Sequence, residues 1–190
     1  MANQYSIDKS HSTIGFAAKH MVFTTVRGKF EDYDVSVESP TGEAADAKIS
    51  AVIKTTSVNT GDEKRDGHLR SGDFFDAETQ PEMTFTSTSI SKVSDQKYTV
   101  NGDLTIRGVT KPIALEATVE ALMKDPWGNT KVIASAKGKI NRKEWGLNWN
   151  AALEAGAVLV SENIDLDIEA QFAVAVAETA PAAETEAVKA

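Results

Sequence analysis

Three histidines, His11, His20 and His68, and the carboxylates Asp8, Asp66 and Asp73 are the side chains of this 190-residue sequence best suited to metal or acid–base chemistry. Three imidazoles with a carboxylate would make a zinc donor set. The spacing assembles none locally: there is no His-Glu-x-x-His and no histidine pair at i, i+4. Asp66 and His68 with Ser12 or Ser57 supply the side chains of a hydrolytic triad. No Gly-x-Ser-x-Gly elbow presents either serine. Cysteine is absent, which excludes a disulfide, a thiolate zinc site and a cysteine nucleophile. Hydrogen bonding that pins a turn or a mouth is the simpler role for the histidines, since imidazole can donate and accept at once. Arg65 and Asp66 read as a pair that closes a helical segment onto neighbouring strands.

The elements that must hold these residues alternate with period two, the signature of strands with one apolar face. Ile14, Phe16, Ala18 and His20 share a face, as do Tyr33, Val35 and Val37, and Ala47, Ile49, Ala51 and Ile53. Met83 and Phe85 follow, then Tyr98, Val100, Gly102, Leu104 and Ile106. Ile113 to Ala121, Val132 to Ile140 and Ile164 to Val174 complete the series. Short connections suit a meander or an up-and-down barrel. Many inward positions are small (Ala117, Ala134, Ala136, Gly138, Ala170), which fits an open lumen and equally fits close packing against bulky partners.

Two stretches break the alternation. Residues 61–72 are charged and predict a short helix, with Thr60 as N-cap, Glu63 in capping-box position and Gly72 as the stop. Residues 141–161 read as irregular around Trp145, Trp149 and Leu153. Gly108 suits a hairpin with positive φ, Gly102 a strand bend or bulge, and Pro112 the start of the next strand, where no N–H is needed. Domain organisation follows: one β domain over 1–176 and a disordered Ala/Glu-rich tail over 177–190.

The net charge of −8 argues against a nucleic-acid partner and gives no electrostatic pull toward anionic membranes. No apolar run is long enough to span a bilayer as a helix, so no integral membrane segment is expected. The N-terminal residues have neither a basic nor an apolar signal region. A cytoplasmic location is therefore expected, or a periplasmic one if a leader was removed.

Four phrases, taken in order, resemble the YceI-like family. They are Asp8-Lys9-Ser10-His11-Ser12 with Phe16 and His20; Arg65-Asp66-Gly67-His68-Leu69 with Asp73-Phe74-Phe75-Asp76; the run Gly102 to Pro112; and Ile140-Asn141-Arg142 with Trp145-Gly146-Leu147. The resemblance runs from about Tyr5 to Phe172. It implies an all-β, extended antiparallel lipocalin-like barrel of about eight strands with an internal apolar tunnel. It also implies a bound amphiphile, a polyisoprenoid, isoprenoid quinone or fatty amide, with no other cofactor, no metal and no defined catalysis. Association with stress responses and a homodimer fit the family as well.

On that basis the tail-contact candidates are Ile14, Phe16, Phe74, Met83, Phe85, Leu104, Ile106 and Leu115, with His20, Arg65 and Trp145 near an opening. Two other readings stay open. One is a filled barrel serving as a stress or partner-binding protein. The other is a lipid-modifying enzyme using His20, Asp66 or His68.

Overall fold

Alternation this regular gives each strand one face for a shared interior, and a ring of such strands leaves no edge unpaired. The structure, a computed structural model, describes residues 3–126, 128, 130–152 and 158–175. Trp127, Leu153 and the expected tail lie outside the described residues.

Eleven strands are present among the described residues: β1 (Asn3–Ile7), β2 (Thr13–His20), β3 (Thr24–Phe30), β4 (Tyr33–Ser39), β5 (Lys48–Lys54), β6 (Val58–Asn59), β7 (Glu82–Ser94), β8 (Lys97–Ile106), β9 (Val109–Lys124), β10 (Thr130–Asn141) and β11 (Val160–Ala175). One α-helix, α1 (Glu63–Arg70), interrupts them. Eight strands close an antiparallel barrel in the order β1-β4-β5-β7-β8-β9-β10-β11, with β1 returning to β11. The remaining strands leave the ring as an extension, β11-β2-β3-β6.

β1 and β2 lie along the same strand in succession. Tyr5 pairs with Val174 and Ile7 with Phe172, while Ile14 pairs with Ile168 and Phe16 with Leu166. The break between them is a 3-10 turn at Lys9–His11. Asp8 caps it, accepting from the Ser10 amide at 3.2 Å and the Ser10 hydroxyl at 2.6 Å. Beyond the break, β2 and β3 form a hairpin arm whose inner row is Ile14, Phe16 and Ala18 against Phe30, Gly28 and Val26.

The local expectations are partly corrected. The N-cap of α1 is Asp62, not Thr60; its side chain accepts from the Lys64 and Arg65 amides. Thr60 instead ties the helix to the sheet, as described below. The helix ends at Ser71, one residue before Gly72, which needs no positive φ. Pro112 lies three residues inside β9 rather than at its start. It is tolerated there because the ladder from β9 to β10 begins only at Glu116, so its missing N–H leaves no partner stranded. The expected hairpin holds: Arg107 and Gly108 are both at positive φ, +50° and +73°, as a two-residue primed turn requires. The bulge expected near Gly102 falls on the facing strand, where the register shifts between Ser87 and Ser89.

Candidate ligand-binding interior

The interior is built from cross-strand rows. One runs Phe85, Leu104 and, two strands from Phe85, Val35 by way of Ala51. A second runs Ala117, Ala136, Ile168, Ile14 and Phe30. A third runs Gly138, Leu166, Phe16 and Gly28. The glycines of the third row make room for large neighbours, Phe16 within the row and Leu115 outside it. A β-carbon on Gly28 would stand 2.5 Å from the Phe16 ring, and one on Gly138 2.5 Å from a Leu115 methyl.

Burial divides this interior into two regions. Toward the helix, it is filled. Phe74, Met83, Phe85, Leu104, Ile106, Ile140, Trp145 and Leu147 are buried in one apolar cluster. Trp145 is 2% exposed, and its indole N–H donates to the Leu104 carbonyl at 3.0 Å. Phe74, Trp149 and His68 pack ring against ring, with centroids 4.6 to 5.3 Å apart. Phe30 joins Phe16 and Phe75, each at 5.6 Å.

Along β9, β10 and β11 the inner face is only half-buried. Ile113, Leu115 and Ala117, then Val132, Ala134 and Ala136, then Ile164, Leu166, Ile168 and Ala170 are all in this state. Small residues recur here, at Ala117, Ala134, Ala136 and Ala170. On the outer side of the wall, between β1, β4 and β5, a cleft of about 430 Å³ is lined by Tyr5, Ile7, Val35 and Val52 together with Lys9, Asp34 and three serines. It lies where β4 runs on beyond its pairing with β1, which stops at Tyr5–Val37 and Ser6–Ser36.

Of the candidate contact residues, Ile14, Phe16, Phe74, Met83, Phe85, Leu104, Ile106, Leu115 and Trp145 belong to this one apolar body. His20 and Arg65 do not. His20 ends β2, opposite Thr24 and Val160. Arg65 is half-buried on α1 and donates from Nε to the Thr60 hydroxyl at 2.7 Å and from Nη2 to the Thr60 carbonyl at 3.0 Å. Asp66, 4% exposed, accepts from the Thr60 amide at 2.9 Å and the Thr60 hydroxyl at 2.5 Å. Arg70 adds bonds to the Thr56 and Val58 carbonyls at 3.0 and 3.3 Å. The Arg-Asp-Gly-His-Leu phrase thus clamps α1 onto β6 by hydrogen bonds.

The histidines are engaged locally. His68 Nε2 meets Asp73 at 2.9 Å, and His11 Nδ1 meets Asp8 at 3.2 Å. Among the described residues, no three His, Asp or Glu side chains converge as a metal site. Asp8 also accepts from Lys131 at 3.1 Å. The Ser10 hydroxyl first, and then Lys131, hold its carboxyl well below the usual carboxylate range.

Arg142 was not among the candidates, yet it is 4% exposed beneath the aromatic cluster. Nε donates to the Ser161 carbonyl at 2.9 Å and Nη1 to the Leu147 carbonyl at 2.5 Å. Its guanidinium lies 5.8 Å from the centre of the Phe74 ring, and burial lowers its pKa. It braces the 3-10 turn Arg142–Trp145 that carries Trp145 inward. The sequence signal was an arginine directly after the apolar face of β10, between Ile140 and Trp145.

This fold and interior define an antiparallel lipocalin-like barrel, plugged by aromatic side chains at its helical end. The chain belongs to the YceI-like family, whose domain model matches residues 5–172. It is 34% identical over 171 residues to a UPF0312 protein of Staphylococcus aureus (strain USA300), covering 90% of this chain and 97% of that one. A Campylobacter jejuni YceI protein superposes with a TM-score of 0.71 at 34% identity, covering 82% of this chain and 88% of that one. Burkholderia cenocepacia BcnA shares the fold, with a TM-score of 0.75 at 21% identity over 87% and 98% of the two chains. So does a polyisoprenoid-binding domain from Saccharophagus degradans, with a TM-score of 0.67 at 20% identity over 90% and 98%.

Proposed function

We propose that this protein is a non-catalytic container for a long-chain amphiphile, a polyisoprenoid, an isoprenoid quinone or a fatty amide, held with its tail in the barrel. The observation that carries the reading is the half-buried apolar inner face along β9, β10 and β11, which continues onto Ile7, Ile14 and Val35 beside a buried aromatic cluster. Apolar surface turned inward and left accessible gains about 0.8 kcal/mol for each methylene that covers it. The description of the Saccharophagus domain as polyisoprenoid-binding supports the same ligand class.

The candidate acid–base groups support a non-enzymatic role. Asp66 is spent on Thr60 and His68 on Asp73. They serve the helical clamp rather than a shared reaction centre.

Native mass spectrometry of the freshly purified protein, with an organic extract beside it, tests the proposal. A bound mass matching a polyprenyl or quinone species is expected, and Phe85→Asp should abolish it. A bare protein mass that stays bare after incubation with such lipids would point to a filled barrel.

A further inference from the structure

The β2–β3 arm ends in Met21, Val22 and Phe23, which are 50, 56 and 87% exposed. Three consecutive apolar side chains in water are unusual at a turn, where polar residues prevail. The backbone compounds the anomaly. Met21 and Val22 both have positive φ, +50° and +68°, a conformation that suits glycine or asparagine and is an outlier for a β-branched residue. Sequence that runs against both solvation and backbone preference at one spot marks a site kept for another purpose.

The charge along the arm is equally one-sided. From Thr13 to Phe30 the chain carries Lys19, Arg27 and Lys29 and not a single Asp or Glu, in a protein of net charge −8. Lys19 and Arg27, the cations nearest the tip, have no carboxylate partner among the described residues: Lys19 bonds the Thr25 hydroxyl at 2.8 Å. Lys29, further away, pairs with Glu31 at 3.3 Å. Of the acids on the adjacent strand, Glu162 pairs with Lys143, Asp165 with Lys139 and Asp167 with Lys137, while Glu169 lies at the far end of the arm, opposite Thr13. Another exposed apolar group, Val93, Leu122 and Met123, lies among charges of both signs, Lys92, Asp95, Glu120 and Lys124. It lacks this pattern.

We propose that the β2–β3 tip is a membrane-docking element. Phe23, Val22 and Met21 enter the headgroup boundary of an anionic bilayer, while Lys19 and Arg27 meet lipid phosphates. Apolar side chains flanked by cations are the combination that holds proteins at such surfaces. A bilayer is also where a long-chain amphiphile resides, so docking brings the barrel to its cargo. That last link rests on the container reading; the docking itself does not.

The absence of cysteine makes the test direct. Thr24→Cys beside the tip and Asp95→Cys on the β7–β8 turn each take one environment-sensitive fluorophore. The full chain is floated with vesicles of phosphatidylcholine alone or with one-third phosphatidylglycerol. Co-flotation with the anionic vesicles is expected, together with a blue shift at position 24 only. High salt and Phe23→Ser should each weaken binding roughly tenfold. Phe23 is largely exposed, so the variant should fold as the parent does.

Protein left at the bottom of the gradient, a blue shift at position 95 instead, or a Phe23→Ser variant that floats like the parent would overturn the proposal. So would a dimer without vesicles that Phe23→Ser dissociates, since the tip would then belong to a second copy. Native mass spectrometry of the same samples reads cargo separately. A cargo-free parent that still floats refutes the container and leaves the docking site standing.

Discussion

The ring of Phe85 occupies the space above Gly102 on the neighbouring strand, 2.4 Å from where a β-carbon on that glycine would stand. The Thr86 carbonyl is nearly as close, at 2.6 Å, so the obstruction includes backbone. Gly102→Ala should therefore lose about 1–3 kcal/mol of stability, the range for overpacking a filled interior. Urea midpoints of the two proteins give the answer. An unchanged midpoint would mean that the ring and the strand both yield freely.

The lean wall makes the opposite forecast. Ala136 faces the interior between Ala117 and Ile168 and is half-buried. In a container, Ala136→Leu fills vacant space. Stability should change by less than about 1 kcal/mol while bound lipid falls. In a filled barrel the same change would cost stability, and there would be no lipid to lose. Thermal melting paired with native mass spectrometry separates these results.

At the clamp, Asp66→Ala strands two donors of Thr60 in a buried setting. The loss should be about 2–4 kcal/mol. Amide hydrogen exchange should rise at Thr60 and through α1 before it rises in the barrel strands. Uniform acceleration across the whole protein would show that the clamp is not a separate unit.

Stability should also fall in acid, and Asp8 is one source. Its pKa is depressed in the folded protein by the Ser10 hydroxyl and Lys131. The stabilisation is complete above the unfolded value of about 4 and is lost as pH drops from there toward the folded value. Asp46, Asp62 and Glu162 are depressed as well and share the slope. Asp8→Asn should be less stable at pH 7 by about 1–2 kcal/mol. It should also lose less than the parent between pH 5 and pH 3. Parallel curves for the two proteins would remove Asp8 from the account.

Val22 offers a gain in stability. Its φ of +68° is costly for a β-branched residue, about 1–2 kcal/mol, and glycine adopts it freely. Val22→Gly should raise the unfolding midpoint even though an apolar side chain is lost, because that side chain packs little. A lower midpoint would show that Val22 makes contacts worth more than its strain.

Most of the barrel was legible because β2, β4, β5 and β8 to β11 carry long alternation, and β7 shows it at Met83 and Phe85. β3 was not read, and the reason is physical: Gly28 sits where an inward side chain belongs, since Phe16 fills the place from the next strand. β1 was missed because five residues with two apolar side chains carry too little period. Its role is set by β11, which accepts it in register. The apolar candidate residues were found as a group because burial follows residue type. The polar ones were not: nothing local tells Arg65, which holds a threonine, from Arg142, which enters the aromatic plug. Net charge does not report distribution either, since the total of −8 includes an arm whose only charged residues are Lys19, Arg27 and Lys29.

The ring is shut by pairing between its first and last strands, Tyr5 on β1 with Val174 on β11. Contacts at such sequence separation form slowly, because nearly the whole chain must be ordered before they are made. During synthesis β1 emerges long before β11, so a nascent chain holds an open sheet, with β1 and β10 both lacking the neighbour that β11 supplies. That interval is when the protein is most exposed to mispairing. The rate of its final folding phase should respond to changes in β1 more than its length would suggest.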